Sequence, residues 1–291
     1  MKVLVSGASG LLGWETADAF EEAGCPVVRL LGRKSVDIMN TREIIDFVKT
    51  EQPDLIVHSA GYRDLDDIEK HEADGFALNT FGTKNMALAA SAAGSKLMYI
   101  SSDTVYDGEK ETGYHEYDTP NPVNIYGKSK LMAENEIRSL YAEYFIIRTA
   151  WLFGLQGHPE NNVIYTLRDK LRAGQTISAS RDQLCSPSYT KDIAQVLIKI
   201  AQTDYYGTYL VSNRGAASRY DVTLAIAEFL GLDTSLVIPA DAGLIHLAKR
   251  ARNTVFKPIA FPKTFGIEME DWQDALKRCI DDLKFREVKK Q

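Results

Sequence analysis

The chain opens Val3-Leu4-Val5-Ser6 and runs at once into Gly7-Ala8-Ser9-Gly10-Leu11-Leu12-Gly13, ahead of a helix-forming stretch through about Ala23. An apolar strand, a turn punctuated by regularly spaced glycines and a helix leave few folds open. Gly7 permits the tight turn, Gly10 lets backbone approach a pyrophosphate, and Gly13 lets the helix pack closely on the sheet. The helix N-terminus offers amide N–H groups and the positive end of its dipole to an anion. In this context the motif predicts dinucleotide binding, with Gly7, Gly10, Leu11, Leu12 and Gly13 as cofactor-binding positions. The first residues read as a folded strand, not a signal peptide, so a cytoplasmic protein is expected.

Strand and helix signals then alternate, which predicts an α/β fold with a doubly wound parallel sheet of Rossmann type. Pro26 to Leu31 reads as the second strand, and Asn40 with Glu43 as a capping box before a helix that Pro53 stops. Leu55 to His58 is a strand; an alanine-rich helix from Thr83 to Ala93 ends at Gly94. Strand 97–100, a helix around Tyr126 and strand Phe145 to Arg148 complete the first half. Beyond it the alternation loosens: a loop over 155–161, helices from about Asn162 and Thr190, and a strand from Gly207 to Ser212. Ser218 and Asp221 read as a second capping box, and Trp272, Leu276, Cys279, Ile280 and Leu283 as the stripe of a last helix. Residues 1–154 with about 177–212 are expected to form an NAD(P)-binding domain, and about 155–176 with 213–291 a smaller, interleaved substrate lobe.

The chemistry sits in the middle. Tyr126 and Lys130 are four residues apart, so both leave one face of a helix. Upstream, an apolar strand ends in Ser101-Ser102-Asp103. A hydroxyl, a phenol and an ammonium are the parts that polarise a carbonyl and move a proton to its oxygen. Lys130 is expected to lower the phenol's pKa and to hold the ribose of a nicotinamide cofactor, with Ser102 bonding the substrate oxygen. Tyr126 and Lys130 therefore count as both catalytic and cofactor-binding.

The second strand leads into Leu31-Gly32-Arg33-Lys34, without the acid that reads an NAD ribose. Arg33 and Lys34 suit a 2′-phosphate, so NADP(H) is the expected cofactor, with NAD(H) as the alternative. Asp37 reaches the adenine amino group or caps the following turn. The net charge of −6 leaves no basic footprint for nucleic acid. No apolar stretch approaches the ~20 residues of a membrane-spanning helix. Cys25, Cys185 and Cys279 have no paired spacing and read as reduced, packed thiols, and the histidines form no metal-ligand cluster.

These motifs together resemble the extended short-chain dehydrogenase/reductase superfamily and, within it, the dTDP-4-dehydrorhamnose reductase family. The likeness extends through Ser101 to Gly108, Gly61-Tyr62 with Asp66 and Glu69, Asn79 to Asn85, Arg148 to Gly154, and Asp182 to Tyr189. It implies cofactor contacts from Ser59, Ala60, Gly61 and Asn79, and substrate contacts from Ser102, Asp103, Trp151 and Arg250. Three departures stand out: Arg250-Ala251 for an Arg-Pro pair, Thr104 for a tyrosine, and the charged run Arg63, Asp64, Asp66, Asp67.

The resemblance implies NADPH-dependent reduction of the 4-keto group of a nucleotide-activated 6-deoxy sugar, dTDP-4-dehydro-L-rhamnose first. Other nucleotide-sugar reductases or epimerases are the alternatives; Thr104 supplies no carboxylate for a dehydratase. A non-catalytic NADP-binding subunit, like that of methionine adenosyltransferase, is the alternative of another class. The expected partner is a nucleotide sugar, and the expected assembly a monomer or homodimer.

Overall fold

Val3–Ser6 is buried along its whole length, as a strand covered on both faces of a parallel sheet must be. In the computed structural model, which describes residues 1–33, 35–241 and 247–289, this strand (β1) lies between β2 (Val27–Leu30) and β3 (Leu55–His58). The intervening helices are α1 (Leu11–Glu22) and α2 (Thr41–Glu51). After β3 come α3 (Leu65–Lys70), α4 (Glu72–Phe76) and a π-helical segment, Ala77–Phe81, that continues into α5 (Gly82–Ala93). β4 (Lys96–Ser102), α6 (Ile125–Leu140) and β5 (Tyr144–Thr149) follow.

The second half contributes β6 (Leu152–Phe153), α7 (Val163–Arg172), β7 (Ile177–Ser180), β8 (Leu184–Cys185) and β9 (Ser188–Tyr189). Then come α8 (Thr190–Ala201), β10 (Gly207–Leu210), β11 (Ala217–Ser218), α9 (Arg219–Leu230), β12 (Val237–Ala240), α10 (Ala260–Phe265) and α11 (Trp272–Val288). The main sheet has six parallel strands in the order β10-β5-β4-β3-β1-β2. The chain leaves β1 to one side for β2 and to the other for β3. That reversal opens a crevice at the strands' carboxyl ends, where open α/β sheets bind ligands.

Both faces are covered. One carries α1 and α8, whose Phe20, Ile193, Leu197 and Ile200 pack on Val3, Val57 and Ile147; the other carries α2, α5 and α6. A separate core joins α7, α9 and α11 around Ile164, Ile226, Trp272, Leu276 and Ile280. The two lobes exchange more chain than expected. β7 lies outside the main sheet and pairs with β12, while Phe261 of α10 and Met269 are buried in the core of the first lobe. A four-residue strand such as Ile177–Ser180 carries no mark of which partner it will take, so alternation alone puts 177–180 with the first lobe.

Ser218 and Asp221 form the reciprocal capping box. Asn40 forms half of one: it accepts from the Glu43 amide at 3.2 Å, but Glu43 Oε1 turns back to the amide of Asp37. Among the described residues no helix is long and apolar enough to cross a membrane.

Candidate active site

A cleft of about 910 Å³ opens above the crevice, within the range of small-molecule sites. Its floor is the glycine turn. Gly7 has φ +70°, and a Cβ there would stand 2.7 Å from the Ala60 nitrogen, so β1 and β3 meet closely only through glycine. Gly10 caps α1 without a side chain, and the first turn of α1 carries no acid, leaving its amide N–H groups free to meet an anion. Ser59 Oγ donates to the Ser6 carbonyl at 2.7 Å and holds the second wall in place. Leu11, Leu12, Gly13, Ala60 and Gly61 line the same cleft. This glycine cradle with open amides fits a dinucleotide pyrophosphate.

Arg33 lines the cleft just beyond β2, exposed and with no side-chain partner among the described residues; Lys34 lies outside those residues. Asp37 also lines the cleft, but its carboxylate accepts the Met39 amide at 3.0 Å, so its capping role is realised. Asn79 does not reach the cleft. Its Oδ1 accepts from the Tyr62 amide at 2.7 Å, and its Nδ2 donates to the Tyr62 carbonyl and to Ser129 Oγ. The π-helical segment turns Asn79 and Thr80 onto α6, where Asn79 braces the Gly61 loop against the helix that carries Tyr126.

Ser102, Tyr126 and Lys130 converge on the cleft as the spacing predicts. Asn124 sets the helix: its Oδ1 accepts from the Gly127 amide at 2.8 Å. Gly127 is required because a Cβ would strike the Thr104 carbonyl oxygen. The electrostatics differ from expectation. Burial pushes the Tyr126 phenol up to about 12, Asp103 adds to the rise, and Ser102 and Arg63 oppose it. Lys130 Nζ instead donates to the Ile100 carbonyl at 2.7 Å and lies 4.2 Å from the Tyr99 ring centre. Burial lowers its ammonium to about 7. A four-residue spacing brings two side chains to one face, but here the strand beneath takes the ammonium, and the phenol remains a protonated donor.

Ser102 Oγ donates to Asp103 at 3.1 Å and accepts from Thr104 Oγ1 at 2.9 Å. Asp103 also accepts from Thr254 Oγ1 at 2.5 Å, and burial raises its carboxyl pKa. Among the lining residues not legible beforehand are Thr254, Cys185 and Arg219. The Arg219 guanidinium lies 4.6 Å from the Trp151 ring centre, so Trp151 carries a cation on the cleft wall.

The charged run after Tyr62 has a structural purpose. Asp64 caps α3 by accepting the Asp66 and Asp67 amides, and Tyr62 OH donates to Asp67. Asp66 Oδ1 accepts from the amides of Leu247 and Ala248 and from Arg250 Nη2 at 3.1, 2.9 and 3.1 Å. This clasp draws Arg250 into the cleft wall, while Arg252 is exposed and outside it. His58 is fully buried between Ser6 Oγ (2.6 Å) and Thr83 Oγ1 (3.0 Å), and burial lowers its pKa to about 3. Because Thr83 donates its own proton to the Asn79 carbonyl, His58 Nε2 must donate to Thr83 and Nδ1 accept from Ser6. It is a neutral packing residue.

Comparison with known proteins finds relatives over nearly the whole chain. The family described as RmlD substrate binding domain matches residues 1–285. The spore coat polysaccharide biosynthesis protein SpsK of Bacillus subtilis is 33% identical over 281 residues, covering 97% of each chain. A dTDP-4-dehydrorhamnose reductase of Aggregatibacter actinomycetemcomitans is 32% identical, covering 95% of this chain and 97% of its own. Among solved structures, the dTDP-4-dehydrorhamnose reductase of Bacillus anthracis in complex with NADP superposes with a TM-score of 0.92 at 31% identity. That superposition covers 97% of this chain and 100% of the other. With sheet order, glycine turn and Tyr126 helix all inside the matched span, the chain belongs to the RmlD substrate-binding-domain family.

Proposed function

We propose that the protein reduces the 4-keto group of dTDP-4-dehydro-L-rhamnose to give dTDP-L-rhamnose, with NADPH as reductant. The observation that carries the reading is the convergence of Ser102, Tyr126 and Lys130 on the cleft whose floor is the glycine turn. Bound NADPH supplies the hydride to the carbonyl carbon. Ser102 hydrogen-bonds the carbonyl oxygen, and Tyr126, protonated at neutral pH, supplies the proton that oxygen takes up. Lys130, fixed by the Ile100 carbonyl, would hold the ribose of the bound cofactor.

The cofactor belongs to residues 1–154 with the α8–β10 unit, and the sugar nucleotide to the lobe built on α7, α9 and α11. Asp103, Trp151 and Arg250, at the far end of the cleft from Arg33, belong to the sugar nucleotide.

The direct test follows NADPH absorbance with dTDP-4-dehydro-L-rhamnose beside UDP- and GDP-linked keto-sugars. Consumption of the dTDP substrate is expected; consumption of only a UDP- or GDP-sugar overturns the substrate and keeps the reductase. Cofactor binding without turnover of any keto-sugar would point instead to a non-catalytic subunit.

Cofactor choice has its own test. Arg33→Ala is expected to weaken NADPH roughly ten- to hundredfold with little change for NADH, the loss of a charge-assisted bond to the 2′-phosphate. Equal losses in fluorescence titrations of both cofactors would show that Arg33 points elsewhere.

A further inference from the structure

Arg219 is not explained by the chemistry at Tyr126. It is the first residue of α9 and, though exposed, is one of the residues that line the cleft. Trp151 backs its guanidinium. Among the described residues its guanidinium has no hydrogen-bonded or ion-paired carboxylate. Desolvation by the surrounding walls lowers its pKa, and the charges of Cys185 and Asp103 oppose that. Cys185 offers no anion near neutrality, since burial raises its thiol to about 12. Asp103 is already engaged by Ser102 and Thr254.

A second guanidinium stands close enough to repel it. Arg250 feels the charge of Arg219, is bound to Asp66 through Nη2, and has a buried Nη1 without a partner among the described residues. Two cations on one cleft wall, of which only Arg250 has a paired carboxylate among the described residues, favour an anion between or beside them. Arg219 and Asp103 line the same cleft and each feels the other's charge, which puts Arg219 on the Ser102 side, where the reading above sets the sugar rather than the base. The anion covalently joined to the sugar in a nucleotide sugar is the β-phosphate. A planar guanidinium held flat by an indole presents its N–H edge to phosphate oxygens.

We infer that Arg219, aided by the field of Arg250, binds the β-phosphate of the substrate and sets the requirement for a nucleoside diphosphate over a monophosphate. The inference rests on the nucleotide-sugar reading above. It makes Arg219 a specificity residue of the substrate site, with no part in proton or hydride transfer.

The test compares dTDP and dTMP by calorimetric titration into the NADPH-loaded protein. Wild type is expected to bind dTDP the more tightly. Arg219→Met, which retains an unbranched stem against Trp151, is expected to weaken dTDP about 30- to 100-fold and dTMP by less than about threefold. Arg219→Lys is expected to recover much of the loss, because a point charge without the fork keeps part of the attraction. With the keto-sugar substrate, KM should rise in step with the dTDP dissociation constant while kcat holds within about threefold. Unchanged NADPH affinity shows that the variant is folded; should Arg219→Met fail to fold, Arg219→Lys carries the same comparison with a smaller shift.

Equal losses for dTDP and dTMP, no loss for either, or a loss seen only with a keto-sugar bearing a carboxylate would overturn the inference. So would a wild type that does not distinguish the two nucleotides. A wild type that binds NADPH but neither nucleotide, and reduces no keto-sugar, removes the functional reading as well.

Discussion

Replacing Tyr126 with phenylalanine is expected to lower kcat by roughly 10²–10⁴ while leaving NADPH affinity near wild type. The change removes one oxygen from a ring whose position is set by others: the Asn124 cap, and Gly127 against the Thr104 carbonyl. What is lost is the proton source. Burial, then Asp103, hold the phenol at about 12, so it is protonated throughout the neutral and mildly alkaline range. A raised pKa means that the acid form is lost only as pH rises towards that value. A fall in wild-type kcat/KM beginning near pH 7 would therefore report Lys130, whose ammonium burial lowers to about 7, and not Tyr126. Stopped-flow hydride transfer at saturating NADPH separates the two groups. Turnover of the phenylalanine variant at the wild-type rate would remove Tyr126 from the chemistry.

The largest expected loss of stability comes from Glu134→Ala, about 3–5 kcal/mol, as for a buried ion pair left with one charge. Glu134 is fully buried and Arg148 is 2% exposed. Arg148 meets the carboxylate through two nitrogens, Nε–Oε1 at 2.9 Å and Nη2–Oε2 at 2.6 Å. Ser101 Oγ donates to the same carboxylate at 2.6 Å and Arg138 Nη2 at 2.8 Å, while Arg148 Nη1 donates to Tyr106 OH at 2.8 Å. Removing the carboxylate strands the buried guanidinium. The double variant Glu134→Leu/Arg148→Met should be markedly more stable than Glu134→Ala, since it removes both charges and leaves apolar packing. Burial opposes the charge on Glu134, yet the Arg148 hydrogen bonds and charge outweigh it and keep the carboxyl below its usual range. The pair's contribution is thus present above the unfolded carboxyl pKa of about 4.3 and is lost as pH falls below it. Urea-unfolding midpoints across pH measure both effects; a loss below about 1 kcal/mol for Glu134→Ala would show that the guanidinium finds other partners.

Tyr126, Lys130 and Glu134 follow one another at four-residue steps, so one helical face carries the proposed proton donor, the buried ammonium and the anchor to β5. The first two were recognisable from spacing. The third carried the same signal and was missed because its partner, Arg148, lies on a strand that only the fold brings opposite.

What the sequence determined by itself was the local grammar. The glycine turn, the apolar strands, the Ser218 capping box and the stripe of α11 depend on neighbours a few residues away, and backbone sterics and helical or strand periodicity decide them. They were enough to specify a parallel sheet, a dinucleotide cradle and the Ser102-Tyr126-Lys130 set. The tertiary structure decided what depends on partners far along the chain. It paired β7 with β12 and turned Asn79 from the cleft onto Ser129. It directed Lys130 to Ile100 and closed Asp66 on Arg250 across 184 positions. It also brought Arg219 to Trp151. In each case a polar group loses water on folding and must take whichever partner the packed lobes present, and that choice has no local signature in the chain.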